Sequence, residues 1–250
     1  MSALCDLGGR VALITGGTRG LGRAMALGLA QAGADLVIAS RHQEACDEAA
    51  AALREQTGRR VLGKACHVGR WDELDALADA AYAEYGRVDV LINNAGMSPL
   101  YPSPEAVSEE LWDKVLAVNL KGPFRLTALV GARMAAGDGG SVINISSVAA
   151  VRPDRAVLPY AAAKAGLNAL TVGFAEALGP AVRVNAILAG TFLTDISTHW
   201  DPDWLRERSA QFALRRAGEP DEIVGTALYL AGPASSYTSG AVIPVHGGHP

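Results

Sequence analysis

Cysteine, charge and long apolar runs are all scarce in this 250-residue chain. Its three cysteines, Cys5, Cys46 and Cys66, are an odd count without metal-type spacing. That excludes a disulfide framework and a cysteine-based metal cluster, and favours free thiols in a reducing compartment. With a formal net charge of -4 and a pI near 5.7, there is no basic field to attract nucleic acid or an anionic membrane. Charged residues make up only 19%, against 50% hydrophobic, which excludes a disordered polymer and supplies enough apolar material for a sizeable core. The opening MSALCDLGGR lacks a charged leader followed by a long apolar stretch, and no apolar run reaches membrane-spanning length. No Pro/Ser linker, charge block or low-complexity tract divides the chain. One cytoplasmic, soluble globular domain over residues 1–250 is the expectation, with neither nucleic acid nor membrane as partner.

What the chain does have is alternation. Short aliphatic runs recur at Val11–Thr15, Leu36–Ser40, Val61–Ala65, Val88–Asn93, Ser141–Ser146, Val182–Ile187 and Ala241–Val245, each reading as a buried strand. Between most of them lie Ala/Leu/Glu/Arg-rich stretches long enough for helices, such as Gly22–Ala32, Gln43–Gln56, Trp71–Tyr85 and Ser108–Met134. Right-handed βαβ units follow, hence an α/β fold: a doubly wound, predominantly parallel seven-stranded sheet flanked by helices on both faces. The least regular segment, Ala189–Ala217, sets Trp200, Trp204 and Phe212 among Asp, Arg and Pro. It suits a mobile flap over a site or, alternatively, a plain surface excursion.

TGGTRGLG, Thr15–Gly22, follows the first strand and opens the first helix. Glycines at 16, 20 and 22 let a backbone turn tightly and approach a pyrophosphate, whose charge a helix N-terminus favours. Arg19 in the first turn opposes the helix dipole, a conflict that an anionic ligand would relieve. At the end of the second strand stand Ser40 and Arg41, where a dinucleotide-binding unit that takes NAD often presents an acid to the ribose. Two cations there point to the 2′-phosphate of NADP(H), with NAD(H) as the alternative cofactor. The competing reading of each arginine is a solvated surface side chain.

PYAAAKAGLNAL places Tyr160, Lys164 and Asn168 on one helical edge. A surface helix would turn that stripe to water, but Ala161, Ala163, Leu167 and their neighbours spread apolar surface widely around it. A free phenol titrates near pH 10, and an ammonium one turn away would lower that value, tuning Tyr160 as acid for a carbonyl or base for an alcohol. Ser147, thirteen positions earlier and just beyond the strand ending VINIS, can hydrogen-bond the reacting oxygen. Asn119 is polar inside an otherwise apolar helix; a structural amide is the reading that the residues alone favour.

These motifs stand in the order TGGTRGLG, NNAG (Asn93–Gly96), Asn119, Ser147, YAAAK, AGTFLT (Ala189–Thr194) and a late GG (Gly247–Gly248), and the whole chain resembles the short-chain dehydrogenase/reductase family in its single-domain, Rossmann-like branch. The resemblance implies that Tyr160 exchanges the proton, Lys164 lowers its pKa and holds the nicotinamide ribose, Ser147 stabilises the substrate oxygen and Asn119 supports a water relay. For the cofactor it implies Gly16, Thr18, Arg19, Gly20, Leu21 and Gly22 at the phosphates, Ser40 and Arg41 at the ribose, and His67 and Val68 at adenine. Asn94, Ala95 and Gly96 would shape the cleft, with Ile187, Gly190 and Thr194 near the carboxamide; no metal is required. Three departures from the family pattern are His67 for an aspartate, Ala189 for a proline and His246 for an aspartate.

The expected activity is NADP(H)-dependent hydride transfer between a ketone and its secondary alcohol. The relevant likenesses are to 3-oxoacyl thioester reductases and to sugar or sugar-acid dehydrogenases. A scaffold that binds NADP(H) without turnover is the competing class, and the intact Asn119, Ser147, Tyr160 and Lys164 argue against it. Arg152 and Arg155 could meet an anionic substrate or serve as surface charge. The resemblance, with the apolar faces of the helices at Ser108–Met134 and Leu158–Leu178, implies a homotetramer or homodimer.

Overall fold

A computed structural model describes residues 3–195, 197 and 200–250. Of the flap read at 189–217, Ile196, Thr198 and His199 lie outside the described residues. Strands and helices alternate as β1 (Val11–Thr15), α1 (Gly20–Gln31), β2 (Asp35–Ser40), α2 (Gln43–Thr57), β3 (Val61–Ala65), α3 (Trp71–Tyr85) and β4 (Val90–Asn93). Then come α4 (Glu109–Leu116), α5 (Gly122–Ala135), β5 (Gly140–Ser147), α6 (Leu158–Ala177), β6 (Val182–Ala189), α7 (Pro202–Ala210), α8 (Val224–Ala231) and β7 (Val242–Val245). The seven strands form one sheet in the order β3-β2-β1-β4-β5-β6-β7, and every neighbouring pair is parallel. This is the Rossmann-like doubly wound architecture, with the strand order reversing between β1 and β4.

The period of two in each strand sorts the core into two layers. Ile14, Ile38, Ile92 and Ile143 meet Met25 and Leu29 of α1 and Leu230 of α8 on one face. Their neighbours Leu13, Val37, Leu91 and Val142 meet Leu74 and Leu77 of α3 and Leu126 and Val130 of α5 on the other. Both faces are covered, which is why the strands read as continuous apolar runs rather than alternating ones. Among the described residues no helix is long and apolar enough to cross a membrane.

Most expected elements shift by a residue or two at their ends, and three differences stand out. β4 begins at Val90 rather than Val88, and the Asp89 carboxylate just before it accepts from the Val11 amide at 2.9 Å and from Arg10 and Arg87. The helix expected over Ser108–Met134 is interrupted by a π-helical turn, Ala117–Lys121, which inserts one extra residue and carries Asn119. β5 runs on to Ser147, which pairs with Ala189 instead of lying beyond the strand.

Candidate active site

The C-terminal ends of β1 and β4 flank the crevice where the strand order reverses. Gly16 has φ +67, a region that side chains strain to adopt, and a Cβ on Gly22 would sit 2.1 Å from the Gly16 carbonyl oxygen. Only glycine lets the loop fold onto the start of α1 here. Asn94 then ties the loop to β4: its Nδ2 donates to the carbonyls of Thr15 at 2.9 Å and Gly16 at 3.2 Å. The Thr15 hydroxyl in turn accepts from the amides of Asn94 and Ala95, both at 3.1 Å. The segment beyond β6 reaches the same loop, since a Cβ on Gly20 would lie 3.5 Å from Thr194. A cradle built of glycine backbone at a helix N-terminus fits a dinucleotide pyrophosphate.

Arg19 is the N-cap residue of α1 in extended conformation, caps nothing, and is exposed like Arg41. Among the described residues neither side chain forms an ion pair or hydrogen bond. Thr18 and Leu21 are half-buried beside Arg19. Ser40 closes β2, its carbonyl accepting from Cys66 N at 2.7 Å. His67 and Val68 follow β3 on the same rim; His67 Nδ1 accepts from Gly69 N at 3.1 Å, a turn-closing role open to the aspartate that the family has there.

Ile187 needs correction. It is fully buried in mid-β6, paired with Ile145 on one side and Ile243 on the other, so neither its side chain nor its ladder positions face the cleft. Phe192 and Thr194, beyond the strand end, occupy the stretch that leads to the glycine loop. Gly190 directly follows β6, its amide donating to Val245 O at 3.0 Å, and a Cβ there would meet His246 Cα at 2.6 Å. Ala189, in place of proline, pairs with both Ser147 and Val245. His246 replaces an aspartate and keeps an acceptor in its position: Nδ1 takes the amides of Gly248 and His249, both at 3.1 Å.

Ser147, at the end of β5, has its Oγ accepting from Ala149 N at 3.2 Å and stands close enough to the Tyr160 hydroxyl, in the first turn of α6, to lower its pKa. Lys164, one turn on, is 3% exposed; its Nζ donates to Ile145 O at 2.7 Å and lies 5.6 Å from the Tyr160 ring centroid. Burial lowers the Lys164 ammonium to about 8. At Tyr160 burial raises the phenol pKa, and Ser147 opposes that rise. Tyr160 is half-buried as a residue, and desolvation is the larger influence on its hydroxyl. The phenol is therefore protonated at neutral pH, the form that can donate to a carbonyl oxygen.

Asn119 is fully buried and spends its amide on structure: Nδ2 donates to Met97 O at 2.8 Å and Val115 O at 2.9 Å, and Oδ1 accepts from Met97 N at 3.2 Å. It thereby clamps the end of the NNAG loop. A Cβ on Gly96 would come 2.9 Å from Asn119 Oδ1 and 3.8 Å from Lys164 Nζ, which puts loop, amide and ammonium in one place. Asn168, the third member of the stripe, is half-buried and takes no part in this group.

A buried polar chain went unread in the sequence. Asn93 Nδ2 donates to Thr127 Oγ1 and Asn144 Oδ1, and Asn144 Nδ2 to Thr171 Oγ1, each at 2.9 Å. The asparagine inside VINIS was its one local signal; the partners are 27 or more positions away. Among the described residues, no group of three or more His, Cys, Asp or Glu side chains is placed to hold a metal ion.

A parallel doubly wound sheet with this Ser/Tyr/Lys cluster beside a glycine cradle defines a dinucleotide-dependent oxidoreductase. The short chain dehydrogenase profile matches residues 10–204. The chain is 40% identical over 245 residues to dehydrogenase/reductase SDR family member 4 of Bos taurus, covering 97% of this chain and 88% of that one. A 7 alpha-hydroxysteroid dehydrogenase solved with NADH and 7-oxo glycochenodeoxycholic acid superposes with TM-score 0.94 at 32% identity, covering 100% and 97% of the two chains. L-sorbose reductase from Gluconobacter frateurii, solved with NADPH and L-sorbose, gives 0.92 at 28% identity over 98% of each chain. The chain belongs to the short-chain dehydrogenase/reductase family and has the NAD(P)-dependent oxidoreductase activity typical of it.

Proposed function

We propose that the protein interconverts a ketone and its secondary alcohol with NADP(H), residues 1–250 acting as one unit and 189–217 as a flap over the site. The juxtaposition of Ser147, Tyr160 and Lys164 carries this reading. When bound, the dinucleotide supplies or accepts the hydride. Gly16, Thr18, Gly20, Leu21 and Gly22 hold the pyrophosphate; Arg19, Ser40 and Arg41 hold the ribose phosphate; His67 and Val68 border the adenine. Asn94, Ala95, Gly96, Gly190 and Thr194 line the nicotinamide side. Ser147 Oγ donates to the substrate oxygen, and the Tyr160 hydroxyl gives up its proton to that oxygen during reduction or recovers it during oxidation. Lys164 binds the nicotinamide ribose and favours the phenolate once Tyr160 has given up its proton. Asn119 fixes the loop against which these groups work.

Substrates of the 3-oxoacyl thioester type, or sugars and sugar acids, suit this chemistry, and the steroid and sorbose enzymes that resemble the chain act at comparable carbonyls. The test is oxidation of NADPH and NADH by wild-type protein across a panel of such carbonyls, followed at 340 nm. Turnover of at least one ketone supports an enzyme; firm NADPH binding without turnover of any would identify a sensing scaffold instead.

We further propose a homotetramer or homodimer built on α4, α5 and α6. A groove of about 860 Å³ lies between them, lined by Leu116, Leu120, Phe124, Gly166 and Leu170. Gly166 and Leu170 sit about 120° around α6 from Tyr160 and Lys164, so pairing through this face leaves the catalytic edge free. Trp112, Phe124 and Val172 are 44%, 40% and 56% exposed on these helices, more apolar surface than a solitary chain keeps wet. Light scattering at micromolar concentration is expected to give two or four times the 25.9 kDa chain mass, and Phe124→Glu to shift it downward. A wild-type monomer would remove the proposal.

A further inference from the structure

β5, β6 and β7 end side by side, with Ser147 paired to Ala189 and Ala189 to Val245. At about 4.8 Å between neighbouring strands, the chain leaving β7 starts about 10 Å from the catalytic serine. It folds back over this rim. The carbonyls of Gly247 and Gly248 accept from Leu214 N at 2.9 Å and Ala213 N at 3.1 Å, and the His249 ring lies 4.9 Å from that of Phe212.

His249 then gathers two arginines from separate elements. Arg152, five residues after Ser147, donates Nη1 to His249 O at 2.8 Å. Arg208, at the end of α7, places Nη2 3.3 Å from His249 Nε2. Burial, and then the charges of Arg208, His246 and Arg152, keep the His249 imidazole below its usual pKa and so neutral at pH 7. With Nδ1 donating to Pro250 O at 3.1 Å, Nε2 is the acceptor that Arg208 needs. Tyr101 steadies the same loop, donating to Arg155 O at 2.8 Å and accepting from Leu158 N at 2.7 Å.

Among the described residues some arginines find a carboxylate partner and others do not. Arg10, Arg59, Arg87, Arg125 and Arg216 all neutralise themselves on carboxylates. Among the described residues the hydrogen bonds of Arg152 and Arg208 go to a neutral carbonyl and a neutral imidazole, Arg208 also lies 5.6 Å from the Trp204 ring centroid, and neither meets a carboxylate. Two guanidinium forks with no carboxylate partner among the described residues thus stand at the mouth of the catalytic cleft, where an oxyanion would complete them.

Building on the oxidoreductase proposed above, we propose that Arg152 and Arg208 form an anion subsite that binds a carboxylate or phosphate group of the substrate remote from its reacting carbonyl. Arg155, which the sequence offered beside Arg152, makes no side-chain bond among the described residues and is outside the subsite.

The test compares 2-heptanone with two anionic counterparts, 6-oxoheptanoate and 5-oxohexylphosphonate, at constant ionic strength. Wild-type kcat/KM is expected to favour at least one anionic ketone by about tenfold or more, through KM. The arm with the larger gain identifies carboxylate or phosphate. Arg152→Gln and Arg208→Gln should each erode that ratio and the double variant bring it near one, while Arg152→Lys restores part of it. A wild-type ratio near one, or a ratio that survives in the double variant, overturns the subsite and leaves the oxidoreductase proposal intact. If no ketone is turned over, the oxidoreductase proposal fails, and calorimetric titration of 6-oxoheptanoate and 5-oxohexylphosphonate into NADP-loaded protein still decides the subsite. Binding lost in the double variant supports it; absent or unchanged binding overturns it.

Discussion

Tyr160→Phe is expected to lower kcat for carbonyl reduction by about 10²–10⁴-fold, the range that positioned acid–base groups contribute. The ring stays, so the contact with Lys164 Nζ and the packing of the first turn of α6 persist. What disappears is the hydroxyl beside Ser147 and, with it, the transferable proton. The dissociation constant for NADPH, measured by fluorescence titration, should therefore change by no more than a few-fold. Loss of turnover with cofactor binding retained isolates the chemical step. Near-wild-type turnover would show that the proton comes from elsewhere and would sink the role assigned to Tyr160.

The second large effect concerns cofactor choice. Arg19 and Arg41 are exposed and unpaired among the described residues, on either side of the end of β2, and no acid stands at Ser40 to receive a ribose hydroxyl. Hydrogen bonds to charged groups contribute about 1.5–3 kcal/mol each. At tenfold per 1.4 kcal/mol, two of them give wild-type protein a preference for NADPH of about 10² or more. Ser40→Asp combined with Arg41→Ala should reverse the ratio of kcat/KM values, because the new carboxylate repels the phosphate and accepts the free ribose hydroxyl. A wild type that already uses NADH better, or a ratio indifferent to both substitutions, would show that these arginines are surface charge.

Local patterns carried most of the architecture and little of the site's fine placement. Trp71–Tyr85 and Val11–Thr15 form at the residues expected, because caps and apolar period both lie within the segment. The π turn at Asn119 was illegible, since one extra residue leaves no mark in an apolar helix and its reason, the clamp on Met97, is 22 positions away. Ile187 was placed at the carboxamide by the resemblance alone, and only the pairing on both sides shows it enclosed. Tyr160, Lys164 and Ser147 could be found from spacing, whereas the balance of burial against charge at the phenol depends on depth, which no spacing encodes. His249 and its two arginines come from three separated segments and had no sequence signal as a group.

The amide chain from Asn93 through Asn144 to Thr171 also acts as a surveyor's second benchmark. Ser147 and Tyr160 are carried by β5 and α6, and Asn144 and Thr171 are a second pair on those same two elements. Thr171 lies eleven residues along the helix from Tyr160, about 16 Å at 1.5 Å per residue. Two anchor points so far apart remove the freedom of α6 to roll or slide over the sheet, and a shifted register would strand buried amides without partners. Alignment of the two hydroxyls is thereby delegated to a dry, distant part of the frame. The loops at the mouth are left at liberty to drift in sequence and take up new substrates without disturbing the aim of the proton donor.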